Sequence, residues 1–250
     1  MSVTRLAARC LAARSLAARC LAACVLLATG AMANAADLTP TETRWLQGAW
    51  PVIAHAKQLG LPLDIVVQPQ DAPDAAPLAL AYVDGRCKLV LSMRGNPQAE
   101  RTLAALPDAI RDDALELMAA HELGHCRRYL DGAWHGMPAG FAPAAPPAGL
   151  RADLRAAYED MSAARREEAY GDLVGLAWIV QRHPDHYAAL QRWLLDERSA
   201  ERDAPGSHHD TVHWVRLAAE PAALRAGSIF DAAHALWQRG LQSLPAPAAD

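Results

Sequence analysis

No acidic side chain occurs in the first 35 residues of this 250-residue chain. The only charges there are Arg5, Arg9, Arg14 and Arg19, followed by an apolar run from about Leu21 to Ala31 and then Ala33-Asn34-Ala35, an A-x-A cleavage pattern. The spacing predicts a signal peptide over residues 1–35, with residues 36–250 as one exported domain. That apolar run is too short for a comfortable membrane span, and no later segment approaches the length one needs. Paired arginines are also missing, which favours the Sec route over a twin-arginine one and predicts a periplasmic or secreted protein. Leu21-Ala22-Ala23-Cys24 resembles a lipoprotein box, but the apolar stretch Val25-Leu26-Leu27 continues past the cysteine and argues for cleavage after Ala35.

A basic stripe is absent as well. Removing the four leader arginines takes the formal charge from −4 to about −8, which excludes an electrostatic nucleic-acid surface. Cysteine is scarce, and only Cys87 and Cys126 lie beyond the leader. An even pair in an exported chain fits one disulfide stapling the strand region to a helix; two buried free thiols fit equally well.

What is present is His121-Glu122-Leu123-Gly124-His125. Residues four apart share a helix face, roughly 6 Å apart along the axis, so both imidazoles can reach one metal ion. Glu122 projects from the next position round, where it can act as general base on a metal-bound water. A helix is predicted over Leu106–Leu130. Asp112 and Asp113 lie in its first turns, Arg127 and Arg128 at its end, and Ile110, Ala114, Leu117, Met118, His121 and His125 along one seam.

Around this helix, Thr39–Leu59 reads as an amphipathic helix that Pro51 would kink or divide, and Leu63–Gln68 as a strand. Leu78–Val83 and Cys87–Met93 read as a hairpin across Asp84-Gly85. Residues 131–149 read as an irregular loop, and everything beyond Leu150 as helical, with breaks near His183-Pro184, across 199–210 and around Pro221. The fold class expected is α+β, a small antiparallel or mixed sheet followed by a mainly helical part.

Catalytic zinc usually keeps three protein ligands and an open position. In the stretch Leu150–Val180, the seam Leu150, Leu154, Ala157, Met161, Arg165, Glu168, Asp172, Leu176, Ile179 carries two carboxylates four residues apart. Glu168 is the candidate third ligand, and Asp172 the acceptor for the free ring N–H of a ligand histidine. Glu167 points about 100° off that seam. A charge network with Arg165 and Arg166 on a solvated face is the bland alternative. Asp131, ten residues after His121, is a competing ligand, although Asp131-Gly132 more simply reads as a helix-terminating turn. In the second histidine cluster, Gly206–His213, His209 is the candidate donor to a developing oxyanion, with Arg216 a further one.

His121-Glu122-x-x-His125 followed by Glu168-x-x-x-Asp172 resembles the gluzincin metallopeptidases, and among them the M48-like bacterial members, here without membrane helices. The resemblance covers the two helices. It implies a zincin-like fold, Zn2+, and hydrolysis of peptide or protein substrates that add as a strand beside a sheet edge, for which Cys87–Ser92 is the expected edge. A non-enzymatic alternative is an exported binding protein, or an inactive peptidase homologue, with a structural zinc site.

Overall fold

The computed structural model of the chain describes residues 37–70, 75–137, 139–140, 146, 149–202 and 207–243. The signal-peptide and lipoprotein readings lie outside the described residues, as does part of the 131–149 loop. Leu38–Asp250 forms one compact unit. None of its described helices is long and apolar enough to cross a membrane.

The architecture is α+β, a three-stranded mixed sheet followed by a mainly helical part. Helix α1 (Pro40–Gln58) starts on a capping box in which the Thr39 hydroxyl accepts from the Glu42 N–H while the Glu42 carboxylate accepts from the Thr39 N–H. Helix α1 runs continuously through Pro51, so the proline does not divide it. Strands β1 (Leu63–Pro69), β2 (Leu78–Val83) and β3 (Arg86–Arg94) follow. The β2–β3 hairpin turns on Asp84 (φ 53°) and Gly85 (φ 75°), two left-handed residues as a type I′ turn requires.

The spatial order is β1-β3-β2, with β1 parallel and β2 antiparallel to β3. This corrects the edge expectation: Cys87–Ser92 belongs to the central strand, whose groups pair on both sides, and β2 is the edge strand that meets the HExxH helix. A further helix, α2 (Pro97–Ala105), was not anticipated. Its start was signalled by Asn96, whose side chain accepts from the Gln98 N–H, with Pro97 at the first helical position.

A short 3-10 turn (Asp108–Ile110) leads into α3 (Arg111–Leu130), and a second one (Ala152–Leu154) into α4 (Arg155–Arg182). These two helices form the centre of the molecule. Helix α4 is buried all round from Ala169 to Val180, whereas its first turns face solvent. The predicted inward seam therefore fails at Leu154 and Ala157, which are exposed, and holds from Glu168 onward. Helices α5 (Tyr187–Arg202), α6 (Val212–Leu217) and α7 (Ile229–Gln242) close around α4. Cys87 and Cys126 form a disulfide, Cα–Cα 5.6 Å, joining the start of β3 to α3 one residue past His125. Closing a 39-residue separation removes about 4 kcal/mol of unfolded-chain entropy in the loop-closure account.

Candidate active site

Helices α3 and α4 approach unusually closely because glycines stand where they cross. A Cβ on Gly171 would lie 2.9 Å from the His121 ring, and one on Gly175 would lie 2.9 Å from the Leu117 carbonyl oxygen. A Cβ on Gly124 would meet the Gly171 backbone at 3.1 Å. This close crossing brings the carboxylates of α4 up to the histidines of α3.

His121, His125 and Glu168 each offer a ligand atom, all within 4.8 Å of one another. His121 Nε2 lies 3.0 Å from His125 Nε2 and 3.2 Å from Glu168 Oε2, and His125 Nε2 lies 3.6 Å from Glu168 Oε1. These residues could hold a metal ion, and their hydrogen bonding fits one. His121 Nδ1 sits 2.9 Å from Asp172 Oδ1 and donates to it, so a neutral ring turns its Nε2 lone pair toward His125. Glu168 Oε2 is buried with no hydrogen-bond partner, although its side chain is 15% exposed as a whole. Two imidazole nitrogens and a carboxylate oxygen face one point, and the buried Glu168 Oε2 finds no hydrogen-bond donor there, an arrangement that a cation would satisfy.

The electrostatics agree. Burial disfavours a charged His121, but the hydrogen bond to Asp172 and the negative charges of Asp172 and Glu168 override it and hold the imidazolium up to about 10. Burial and the neighbouring His121 charge push His125 down to about 4. Burial would raise Glu168, yet the surrounding histidines hold it down to about 2. The surrounding carboxylates thus favour positive charge at this point of the site.

Asp172 is fully buried and anchors the assembly. Besides His121, it accepts two hydrogen bonds from the Arg198 guanidinium, at 2.6 and 2.8 Å, and one from the Thr211 hydroxyl. Burial works against its charge, but Arg198 and His121 outweigh that and hold the carboxyl far below the usual range. The sequence reading had Asp172 but missed Arg198 and Thr211. They stand 26 and 39 residues away, on α5 and at the start of α6, where no periodic signal singles them out.

Glu122 faces a cavity of about 210 Å³ together with His121 and His209. Trp45, Leu78, Leu117, Trp193 and Leu194 give the same cavity an apolar wall. Burial, reinforced by the Glu168 charge, raises Glu122 to about 7, against the opposing pull of His121, Arg198 and a hydrogen bond from the Leu80 backbone N–H. A carboxyl near neutrality can both take and return a proton. The Leu80 bond also ties β2 to the site.

The structure thus brings together His121, Glu122, His125, Glu168, Asp172 and His209, whose Nε2 lies 3.5 Å from Glu168 Oε2. It leaves out Asp131, the α3 C-cap residue, which pairs with Arg127 before the left-handed Gly132. Arg216 is exposed on α6. Glu167 is buried, but in a two-bond ion pair with Arg128, and it also accepts from the Gly140 N–H. Arg128, read as a cation closing the negative end of the helix, stands in its last turn as an interior residue at 1% exposure. Arg165 donates to the Ser207 carbonyl, which fixes α4 to the His208–His209 loop.

The chain matches no protein family, no curated protein and no solved structure.

Proposed function

We propose that the chain is a zinc-dependent peptidase of the gluzincin type, periplasmic or secreted, acting on peptide or protein substrates. One observation carries the reading: His121, His125 and Glu168 converge on a single point, and Glu122 stands beside it on a cavity wall. A structural zinc clamp has no use for a general base or for a cavity leading to it.

Zinc bound by His121, His125 and Glu168 would supply Lewis acidity, making a water acidic and a carbonyl electrophilic. Glu122 takes the proton of the attacking water and returns it to the leaving amine, and its raised affinity for a proton suits both transfers. Asp172, itself gripped by Arg198 and Thr211, fixes the tautomer and tilt of His121, a role that tunes metal affinity in such sites. His209 lies on the same wall and donates to the carbonyl oxygen as negative charge develops there. The substrate backbone adds along β2, the edge strand whose Leu80 N–H reaches Glu122. The apolar wall from Trp45 to Trp193 accepts a side chain beside the scissile bond.

The test is hydrolysis of a peptide library by the zinc-loaded chain, with Glu122→Gln as the inactive control. The expected result is cleavage that chelation abolishes, that zinc restores, and that Glu122→Gln lacks. Zinc binding with no hydrolysis of any library would point instead to an exported binding protein or an inactive homologue.

A further inference from the structure

The other end of α3 carries a second grouping of histidines and carboxylates. Asp113 and Glu116 stand three residues apart near its start, and His183 and His186 stand three apart across the 3-10 turn Pro184–His186 that joins α4 to α5. His183 Nε2 lies 3.0 Å from Glu116 Oε2, and His183 Nδ1 lies 3.5 Å from Asp113 Oδ1. His186 Nδ1 meets Asp113 Oδ2 at 2.5 Å. Trp178 Nε1 donates to Glu116 Oε2 at 2.7 Å and fixes that carboxylate from behind. One ligand atom each from Asp113, Glu116 and His183 falls within 4.8 Å of the others.

Two independent features make this more than a surface network. First, the carboxylates of Asp113 and Glu116 are only 14% and 11% exposed, yet among the described residues no lysine or arginine pairs with either. Carboxylates so enclosed need a positive charge beside them. Second, both nitrogens of His183 face carboxylate oxygens, while a neutral imidazole has one N–H to give. One of its two contacts therefore sets a lone pair against an anion unless the ring carries a second proton or a cation stands between them.

We propose that Asp113, Glu116 and His183, with His186 at the rim, form a second divalent-cation site that fastens the start of α3 to the α4–α5 turn. Two imidazoles with two carboxylates suit zinc or a similar transition ion better than calcium or magnesium. The site is open to solvent at His186, whose side chain is 49% exposed, so water can complete the coordination. Its role is structural. By clamping the two helices that carry His121 and Glu168, together with the start of the helix that carries Arg198, it fixes their relative pose.

The proposal does not rest on the peptidase reading, and its test is binding of zinc alone. The full chain and three variants are dialysed against micromolar zinc, and bound metal is counted by mass spectrometry. The expected counts are about two ions per chain for the wild type, and about one each for His125→Ala/Glu168→Gln and for Asp113→Asn/His183→Gln. Should the latter pair fail to fold, His186→Ala, a change at the exposed rim, is expected to weaken one of the two sites about tenfold or more. In the His125→Ala/Glu168→Gln background, zinc at a hundred times its Kd is expected to raise Tm by about 5 °C or more, and His186→Ala to reduce that rise. A His125→Ala/Glu168→Gln chain that binds no zinc below millimolar concentration overturns the proposal. So does an unchanged count in both of the other variants.

Discussion

The two ends of α3 present nearly the same chemistry to α4 and differ in what stands behind it. Near Cys126, two histidines of α3 meet a carboxylate of α4; near Asp113, two carboxylates of α3 meet histidines that follow α4. At the first site, His121 is oriented by Asp172, and Asp172 is saturated by Arg198 and Thr211. Glu122 adds a proton acceptor facing a cavity. At the second, Trp178 supports one carboxylate, and the histidines reach solvent. Ligand spacing decides whether a metal can be held; the partners of the ligands and an adjoining base decide whether it can do chemistry. The disulfide at Cys126 and the glycine crossing at Gly171 both lie at the first end, where position matters most.

The sharpest way to break this contrast is to remove the base. Glu122→Gln is expected to lower peptidase kcat/KM by about a thousandfold or more while zinc content and Tm stay unchanged. The corresponding loss of Glu116 to Gln is expected to lower activity by no more than about tenfold, because it loosens the pose of α3 and α4 while no proton is moved there. Steady-state hydrolysis of one cleaved peptide compares the two directly.

Next in size is Asp172→Asn. It strips Arg198 of its buried partner and frees the His121 ring, so a loss of about 3–5 kcal/mol in stability and about 10–100-fold in zinc affinity is expected. Denaturant unfolding and competition against a chelator read the two effects separately. Unchanged zinc affinity would mean that Asp172 is a structural ion-pair partner and no positioning residue for His121.

Replacing both Cys87 and Cys126 by Ala is expected to cost about 2–4 kcal/mol. The zinc count at full saturation should be preserved, since the bond restrains α3 without supplying a ligand. Smaller still is Gly171→Ala. Its methyl meets the His121 ring, and about 1–3 kcal/mol of overpacking is expected together with a measurable loss of zinc affinity. If unfolding and metal competition show neither, the close crossing does not position His121.

What the sequence revealed follows from the range of its signals. The HExxH pair and the Glu168/Asp172 spacing were legible because helical periodicity places residues four apart together, and because charge on an apolar seam needs a reason. The hairpin was legible from Asp84-Gly85, whose turn type is a local property. Strand order was not, since the pairing of β1 with β3 across the intervening β2 is decided by tertiary contact, and the expected edge became the central strand. Arg198 and Thr211 could not be assigned from spacing, because they reach Asp172 from other segments. The burial of Arg128 against Glu167 was hidden for the same reason, since each residue alone looks like an ordinary surface charge.

The central claim is that His121, His125 and Glu168 share one zinc ion, and an anomalous-difference map from a zinc-soaked crystal tests it most directly. The account predicts a peak bounded by His121 Nε2, His125 Nε2 and the Glu168 carboxylate, absent in Glu168→Gln crystals and kept in Asp131→Asn. No peak there at saturating zinc, or an undiminished one in Glu168→Gln, would contradict it.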